Sequence, residues 1–220
     1  MIPAIEARSL YRFFHAGDDE TLALQGVSLA VMPGEVVAVT GPSGSGKSTL
    51  LSCLAGLDEP DGGTVRIAGE RLSRRSEEER ARLRGRGIGM LYQQSNLAGH
   101  LSVTGNVALV QRLAGGSDAS WREELIELCG LTSRAHARPA QLSGGELARA
   151  GLAVALANRP RVVLADEPTG ELDEDTAGRI LELLRSRAEN GTAVVVVSHA
   201  PAVAHMADRT VALRDGKVEA

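Results

Sequence analysis

The chain has 220 residues, 43 % of them hydrophobic and 24 % charged, the balance of one large globular domain and not of a disordered tail, a collagenous repeat or a disulfide scaffold. The formal charge of -4 argues against a protein that coats nucleic acid, and aromatic residues at 2 % leave no platform for stacking bases. Cys53 and Cys129 lie in apolar, helix-like stretches and read as buried, inert thiols of a reducing compartment. No signal peptide is read at the start, and no apolar run approaches the ~20 residues of a spanning helix, so a membrane connection is expected to run through a partner.

In chain order, residues 5–14 and 22–32 alternate apolar with polar and predict antiparallel strands. Val36 to Thr40 reads as a buried strand followed by a glycine-rich loop, after which Leu50, Leu51 and Leu54 fall at helical spacing. Thr64 to Ala68 is a further strand behind the turn chemistry of Asp61-Gly62-Gly63. The arginine-rich stretch from Arg71 to Arg86 reads as a solvated helix capped by Ser76 with Glu79. Between Leu97 and Leu142 no strong strand pattern occurs. There, Trp121, Leu125, Leu128 and Cys129 are expected on one helical face, behind a capping box of Ser120 with Glu123.

Two short β-branched runs, Val162 to Ala165 and Ala193 to Val197, suit parallel strands covered on both faces, with a helix from about Glu174 to Glu189 between them. Asp215-Gly216 is the favoured two-residue turn of a closing hairpin. The expected architecture is α/β: a mainly parallel core sheet with an N-terminal antiparallel β region, formed by residues 1–94 and 143–220, and a helical subdomain inserted at 95–142.

Gly41-Pro-Ser-Gly-Ser-Gly-Lys-Ser-Thr49 matches the phosphate-loop pattern GxxxxGK[ST] and sits between a strand and a helix, the context the pattern requires. Here Gly41, Gly44 and Gly46 let backbone amides, with Ser43, Ser45 and Thr49 beside them, wrap phosphate oxygens at the positive end of a helix. Lys47 is then placed to reach the β- and γ-phosphates, and the Ser48 hydroxyl to ligate Mg²⁺. A second apolar strand ends in Asp166-Glu167. At the carboxyl edge of a parallel sheet these carboxylates face the ligand crevice, Asp166 toward Mg²⁺ and Glu167 as general base for the attacking water. Leu142-Ser-Gly-Gly-Glu146 opens a helix as a capping box of Ser143 with Glu146, and the same geometry offers an anion site. One nucleotide cannot easily engage both loops of a single chain, so the second is expected to serve a nucleotide held by another copy.

The phosphate loop, LSGGE and ADEPTGELD (Ala165 to Asp173), in that order, resemble the nucleotide-binding subunit of ATP-binding cassette (ABC) transporters over nearly the whole chain. The resemblance implies an ATPase using ATP and Mg²⁺, with two copies closing head to tail so that Ser143, Gly144, Gly145 and Glu146 act in trans on the partner's nucleotide. It implies that Gln93, with Gln94 as the alternative register, touches Mg²⁺ and the attacking water and senses the membrane subunit. It further implies that His199 contacts the γ-phosphate, that Asp173 belongs to a dimer-contact loop, although it also reads as a helix N-cap, and that Phe14, with Tyr11 as fallback, stacks on adenine. The partners so implied are a second copy and a transmembrane permease at the cytoplasmic face of the cell membrane, with no nucleic acid.

ADEPTGxLD and Leu156-Ala-Asn-Arg-Pro160 look most like the export branch that holds macrolide-efflux, lipoprotein-release and cell-division cassettes. A cassette signalling to a cell-wall enzyme or sensor shares the same site. A soluble ABC ATPase acting on ribosomes or DNA is disfavoured by the short spacing between phosphate loop and signature. Leu147, Ala148, Val154, Gly105 and Ala200 depart from the family's usual residues, and none of them belongs to the phosphate-handling set.

Overall fold

The structure, a computed structural model, describes residues 1–16, 19–93, 97–170 and 172–219, with residues 15–16 and 19–20 described by their backbone alone. Its strands are β1 (Ile5–Ala16), β2 (Asp19–Val31), β3 (Val36–Thr40), β4 (Gly62–Ile67), β5 (Glu70–Arg71), β6 (Ile88–Leu91), β7 (Val162–Asp166), β8 (Ala193–Val197), β9 (Arg209–Arg214) and β10 (Lys217–Val218). Its helices are α1 (Lys47–Leu54), α2 (Glu77–Gly87), α3 (Val103–Leu113), α4 (Ala119–Leu128), α5 (Gly144–Ala155), α6 (Glu174–Glu189) and α7 (Pro201–Met206).

Two sheets result. An antiparallel one has the order β2-β1-β4-β5, and a six-stranded one has the order β10-β9-β3-β8-β7-β6. In the second, β9, β3, β8, β7 and β6 run parallel and only β10 is antiparallel. The β-branched runs are buried on both faces and feed two cores. Val37, Val39, Leu164, Val195 and Val197 pack with α1 and the antiparallel sheet. Their alternates Val36, Ala38, Val163, Ala165, Val194 and Val196 pack with α5, α6 and the helices of the insert. Period-two alternation of side-chain direction thus puts every residue of such a strand into one core or the other, each worth roughly 1.5–3 kcal/mol for a buried aliphatic side chain.

Within 97–142 the structure forms α3, α4 and 3₁₀ turns at Thr132–Arg134 and Pro139–Gln141. The cap at Ser76 forms as expected, with both bonds of the box present. The cap of α4 differs: Asp118 accepts from the Trp121 amide at 2.9 Å, and Ser120 lies inside the first turn. A carboxylate at the helix's positive end outcompetes a hydroxyl two residues later. The buried face of α4 is also rotated from the expected one, with Ile126 joining Trp121, Leu125 and Cys129 in the core while Leu128 stands 43 % exposed. Leu128 lines a small cleft shared with α5 and α6 and so escapes full burial.

Both cysteines are free and buried, and desolvation pushes each thiol up to about 12. The closing hairpin turns at Asp215 and Gly216, both with positive φ (46° and 74°), as a type I′ turn requires.

Asp208 ties β9 to the central strand, accepting from the Val36 amide at 2.8 Å and from Arg185 at 2.9 Å. These bonds, the amide's first, hold its carboxyl below the usual carboxylate range. A group with a depressed folded value contributes stability above its unfolded value and loses it as pH falls through the folded one. Asp208→Ala is therefore expected to cost roughly 1 kcal/mol at neutral pH after solvent screening, and the difference from wild type should vanish below the carboxylate range. Urea unfolding at neutral and strongly acid pH checks this, and a pH-independent difference would exclude it.

Candidate functional site

The carboxyl ends of neighbouring parallel strands assemble the site. The strand β3 leads into the phosphate loop, β8 runs into Ser198 and His199, β7 into Asp166 and Glu167, and β6 toward Gln93. Side chains far apart in sequence meet because β8 pairs with both β3 and β7, which is the ligand crevice of an open α/β sheet.

The loop's glycines are required by sterics. A Cβ on Gly41 would lie 2.0 Å from the Leu213 carbonyl oxygen, and one on Gly46 would lie 2.3 Å from that of Ala23. Gly46 is also the N-cap of α1, at φ 98°. Lys47 Nζ donates to the carbonyls of Gly41 (2.8 Å) and Pro42 (2.7 Å), so the ammonium lies across the mouth of its own loop. Ser48 hydrogen-bonds Asp166, whose carboxyl is nonetheless raised from the ordinary range, first by burial and then by the adjacent Glu167 charge. A raised carboxyl and a hydroxyl side by side are oxygen donors suited to a hard divalent cation, which would neutralise the pair and take its remaining ligands from phosphate and water. Among the described residues, no group of three or more His, Cys, Asp or Glu side chains could hold a metal without such outside ligands.

Glu167 follows at a left-handed backbone angle (φ 44°), its amide bound to the Val197 carbonyl at 2.9 Å. Its Oε2 accepts from the Ser198 hydroxyl at 2.9 Å, and its Oε1 lies 2.8 Å from His199 Nδ1. A carboxylate only accepts, so Nδ1 is the donating ring atom. An added Cβ on Gly170 would have the Glu167 carbonyl oxygen, the Glu167 Cβ and Gln93 Nε2 within 4 Å, and Gln93 lines the same cleft as Asp166 and Glu167. Gln94 lies outside the described residues.

Apart from Ser198, which is buried behind Glu167, these groups line one cleft of about 910 Å³, together with Phe14, Thr21, Leu22, Ala23 and Gln25 from β1 and β2 and the turn Asp215-Gly216. Phe14 is placed in the cleft wall, whereas the ring of Tyr11 lies over Gly62 and its hydroxyl beside Gly26. Arg12 stacks 4.7 Å above the Phe14 ring and is itself clamped by Asp58 and Asp61. One face of Phe14 is thus covered and stiffened, leaving the other for a planar group. The contribution of the closing hairpin is not visible in the motifs: Gly216 donates to the Ser45 carbonyl at 3.1 Å and accepts from the Gln25 amide at 2.7 Å, bracing the loop against β2.

Ser143, Gly144, Gly145, Glu146 and Asp173 are not among the residues lining this cleft. Ser143 caps α5 reciprocally with Glu146, which also accepts from Arg134 at 3.0 Å. Asp173 caps α6, accepting from the Thr176 amide at 2.9 Å. Both acids are held below the usual range, chiefly by those helix-start amides. Gly145 approaches Thr176 so closely that a Cβ would sit 3.0 Å from its methyl, which joins the two helix starts. Of the departing residues, Gly105 lies in the first turn of α3, where a Cβ would press on Leu101 and Ser102 at 3.3 Å.

The sequence profile described as ABC transporter matches residues 24–170, from the β2 strand through the phosphate loop and signature to Asp166-Glu167. The chain belongs to the ABC transporter family. It is an ATP-binding cassette and an ATPase, an ATP-binding component of the type found in MacB and LolD. It is 44 % identical over 212 residues to the lipoprotein-releasing system ATP-binding protein LolD of Paramagnetospirillum magneticum, covering 94 % of each chain. It is 42 % identical to the macrolide export ATP-binding/permease protein MacB of Azoarcus sp. (strain BH72), where the match covers 99 % of this chain but 34 % of that protein. The cassette thus spans about a third of the MacB relatives it matches. Among solved structures, the dimeric post-hydrolysis state of the ATP-binding cassette MJ0796 bound to ADP and Pi superposes with a TM-score of 0.92 at 35 % identity, covering 98 % of this chain and 97 % of that one.

Proposed function

We propose that this cassette is the nucleotide-binding subunit of an export or extracytoplasmic mechanotransmission system, closing head to tail with a second copy around two MgATP and driving a separate transmembrane subunit. The observation that carries this reading is the separation of the two anion sites: the Ser143-Gly144-Gly145 helix start lies outside the cleft that holds Lys47, Ser48 and Asp166. A second copy is the natural supplier of the missing wall, and the solved relatives of high similarity are described as dimeric.

In this reading ATP stacks on the open face of Phe14 and lays its phosphates on the amides of Ser43 to Thr49, with Lys47 released from its loop carbonyls to bridge β- and γ-oxygens. Mg²⁺ would be held by Ser48, Gln93 and Asp166 and would neutralise charge on the phosphates. Glu167 takes a proton from the attacking water as it approaches phosphorus, and His199 contacts the γ-phosphate. The partner's Ser143, Gly144 and Gly145 complete the charge stabilisation in trans, while Glu146 keeps that helix start capped and Asp173 contacts the opposite copy.

Docking of the membrane subunit is supported by a groove of about 670 Å³ walled by α2, β6 and α3. Leu57 and Leu113 are exposed on it at 46 % and 78 %, and Tyr92 lines it one residue before Gln93. A single peptide step therefore joins the groove to the nucleotide cleft. In this reading the subunit sits peripherally at the cytoplasmic face of the membrane, held through the transmembrane subunit. The relatives named for macrolide export and lipoprotein release favour an export-branch system over a signalling cassette.

Replacing Leu57 and Leu113 together by Glu is expected to leave ATP turnover of the purified chain within about twofold, since surface changes away from the cleft carry little energy. The same change should move the protein from the membrane to the soluble fraction of its cells. Retention on the membrane at the wild-type level would refute docking at this groove.

A further inference from the structure

We propose that Ser198 is a positioning residue for hydrolysis: its buried hydroxyl fixes the carboxylate of Glu167 in the orientation from which it takes the proton of the attacking water. The inference rests on Glu167 being the general base and adds a residue, next to His199, to which the sequence reading gave no role.

Ser198 ends the fully buried run of β8 and is itself 1 % exposed. A hydroxyl has one proton to give. The Ala200 amide donates to Ser198 Oγ at 3.1 Å, so the oxygen is already used as an acceptor, and the proton goes to Glu167 Oε2 at 2.9 Å. The Ser198 amide in turn donates to the Val39 carbonyl at 3.3 Å, on the strand that carries the phosphate loop. The hydroxyl is therefore referenced to the strand that leads to the phosphates.

Glu167 needs such an anchor. Its backbone sits in the left-handed region just past the end of β7, tied by one amide bond to Val197, and its side chain has three torsions to fix before both oxygens are placed. His199 and Ser198 share the task, one on each oxygen, but they differ in mobility. The His199 side chain is 79 % exposed, and in the proposed function it contacts the γ-phosphate and so changes partner with the nucleotide. Ser198 is walled in. Through closure and reopening the hydroxyl is the contact that stays, and it keeps Glu167 directed into the cleft while the imidazole changes partner. Since misplacement by about 1 Å can cost 10²-fold in rate, a fixed anchor of this kind matters for kcat and not for binding.

A serine that only turned the chain after β8 would leave a different signature on mutation, and three variants of the full chain separate the two roles. Ser198→Ala is expected to lower kcat for ATP by roughly tenfold or more with KM for ATP unchanged, and Ser198→Thr, which keeps the hydroxyl, to recover most of the loss. Adding Ser198→Ala to Glu167→Gln is expected to change the residual turnover by less than about twofold, because the two residues act as one unit. Should Ser198→Ala fail to fold, Ser198→Cys keeps the volume with a weaker donor and carries the same expectation.

A wild-type or raised kcat in Ser198→Ala would overturn the proposal. So would an equal loss with and without the intact Glu167 carboxylate, or a loss shared between kcat and KM. Full turnover by Glu167→Gln alone would instead remove the general-base reading, an outcome distinct from either.

Discussion

Glu167→Gln is expected to lower ATP turnover by about 10² or more, the usual range for loss of a general base, while leaving nucleotide affinity within about twofold. The substitution is nearly isosteric. Its amide oxygen can still accept from Ser198, and its backbone keeps the left-handed turn after β7 and the bond to Val197. What it loses is the basicity needed to take a proton, together with the negative charge beside Asp166 that helps hold that carboxyl above its ordinary value. Phosphate release measured alongside a fluorescent-nucleotide titration checks both halves. A Glu167→Gln protein that turns over ATP normally would mean that another group activates water.

The second large effect is steric. Gly46→Ala puts a Cβ 2.3 Å from the Ala23 carbonyl oxygen at a backbone angle of φ 98°, and neither the β2 backbone nor the helix start of α1 can yield without moving the loop. A loss of about 2–4 kcal/mol in unfolding free energy is expected, the sum of backbone strain and a forced displacement, together with loss of measurable ATP binding. Gly44→Ala is the control, because at φ 78° it meets nothing within 4 Å and should cost only about 1 kcal/mol. Urea unfolding of the two variants beside wild type reads the difference. Equal stabilities would show that the loop does not lie against β2 as described.

These two residues also mark what the sequence made legible. The phosphate loop and the Asp166-Glu167 pair are contiguous, and each sits at the end of a β-branched run whose burial on both faces could be read from its lack of alternation. The order of the elements then implies a crevice at the carboxyl ends of the parallel strands. Contacts made between strand ends were hidden. Ser198 follows an apolar run as an ordinary polar residue, and only the pairing of β8 with β7 brings it to Glu167. The Asp215-Gly216 turn was legible as a turn, but its bond to Ser45, 171 positions away by the numbering, depends on β9 lying beside β3.

Local competition accounts for the remaining differences. Ser120 with Glu123 has the spacing of a capping box, yet Asp118 takes the cap because its charge meets the helix dipole. On α4, the expected face held Trp121, Leu125, Leu128 and Cys129, whereas Ile126 takes the place of Leu128 in the core shared with α5. Helical periodicity gives a stripe but not the few tens of degrees by which a neighbour rotates it.

If one chain holds half of each site, as proposed, the solution mass of Glu167→Gln depends on whether ATP and Mg²⁺ are present. The head-to-tail arrangement predicts a monomer that becomes a dimer only when both are added, with Ser143→Arg abolishing the shift while ATP still binds. A mass that stays monomeric in saturating MgATP, in a protein shown by titration to have bound it, would contradict a site completed by a second copy.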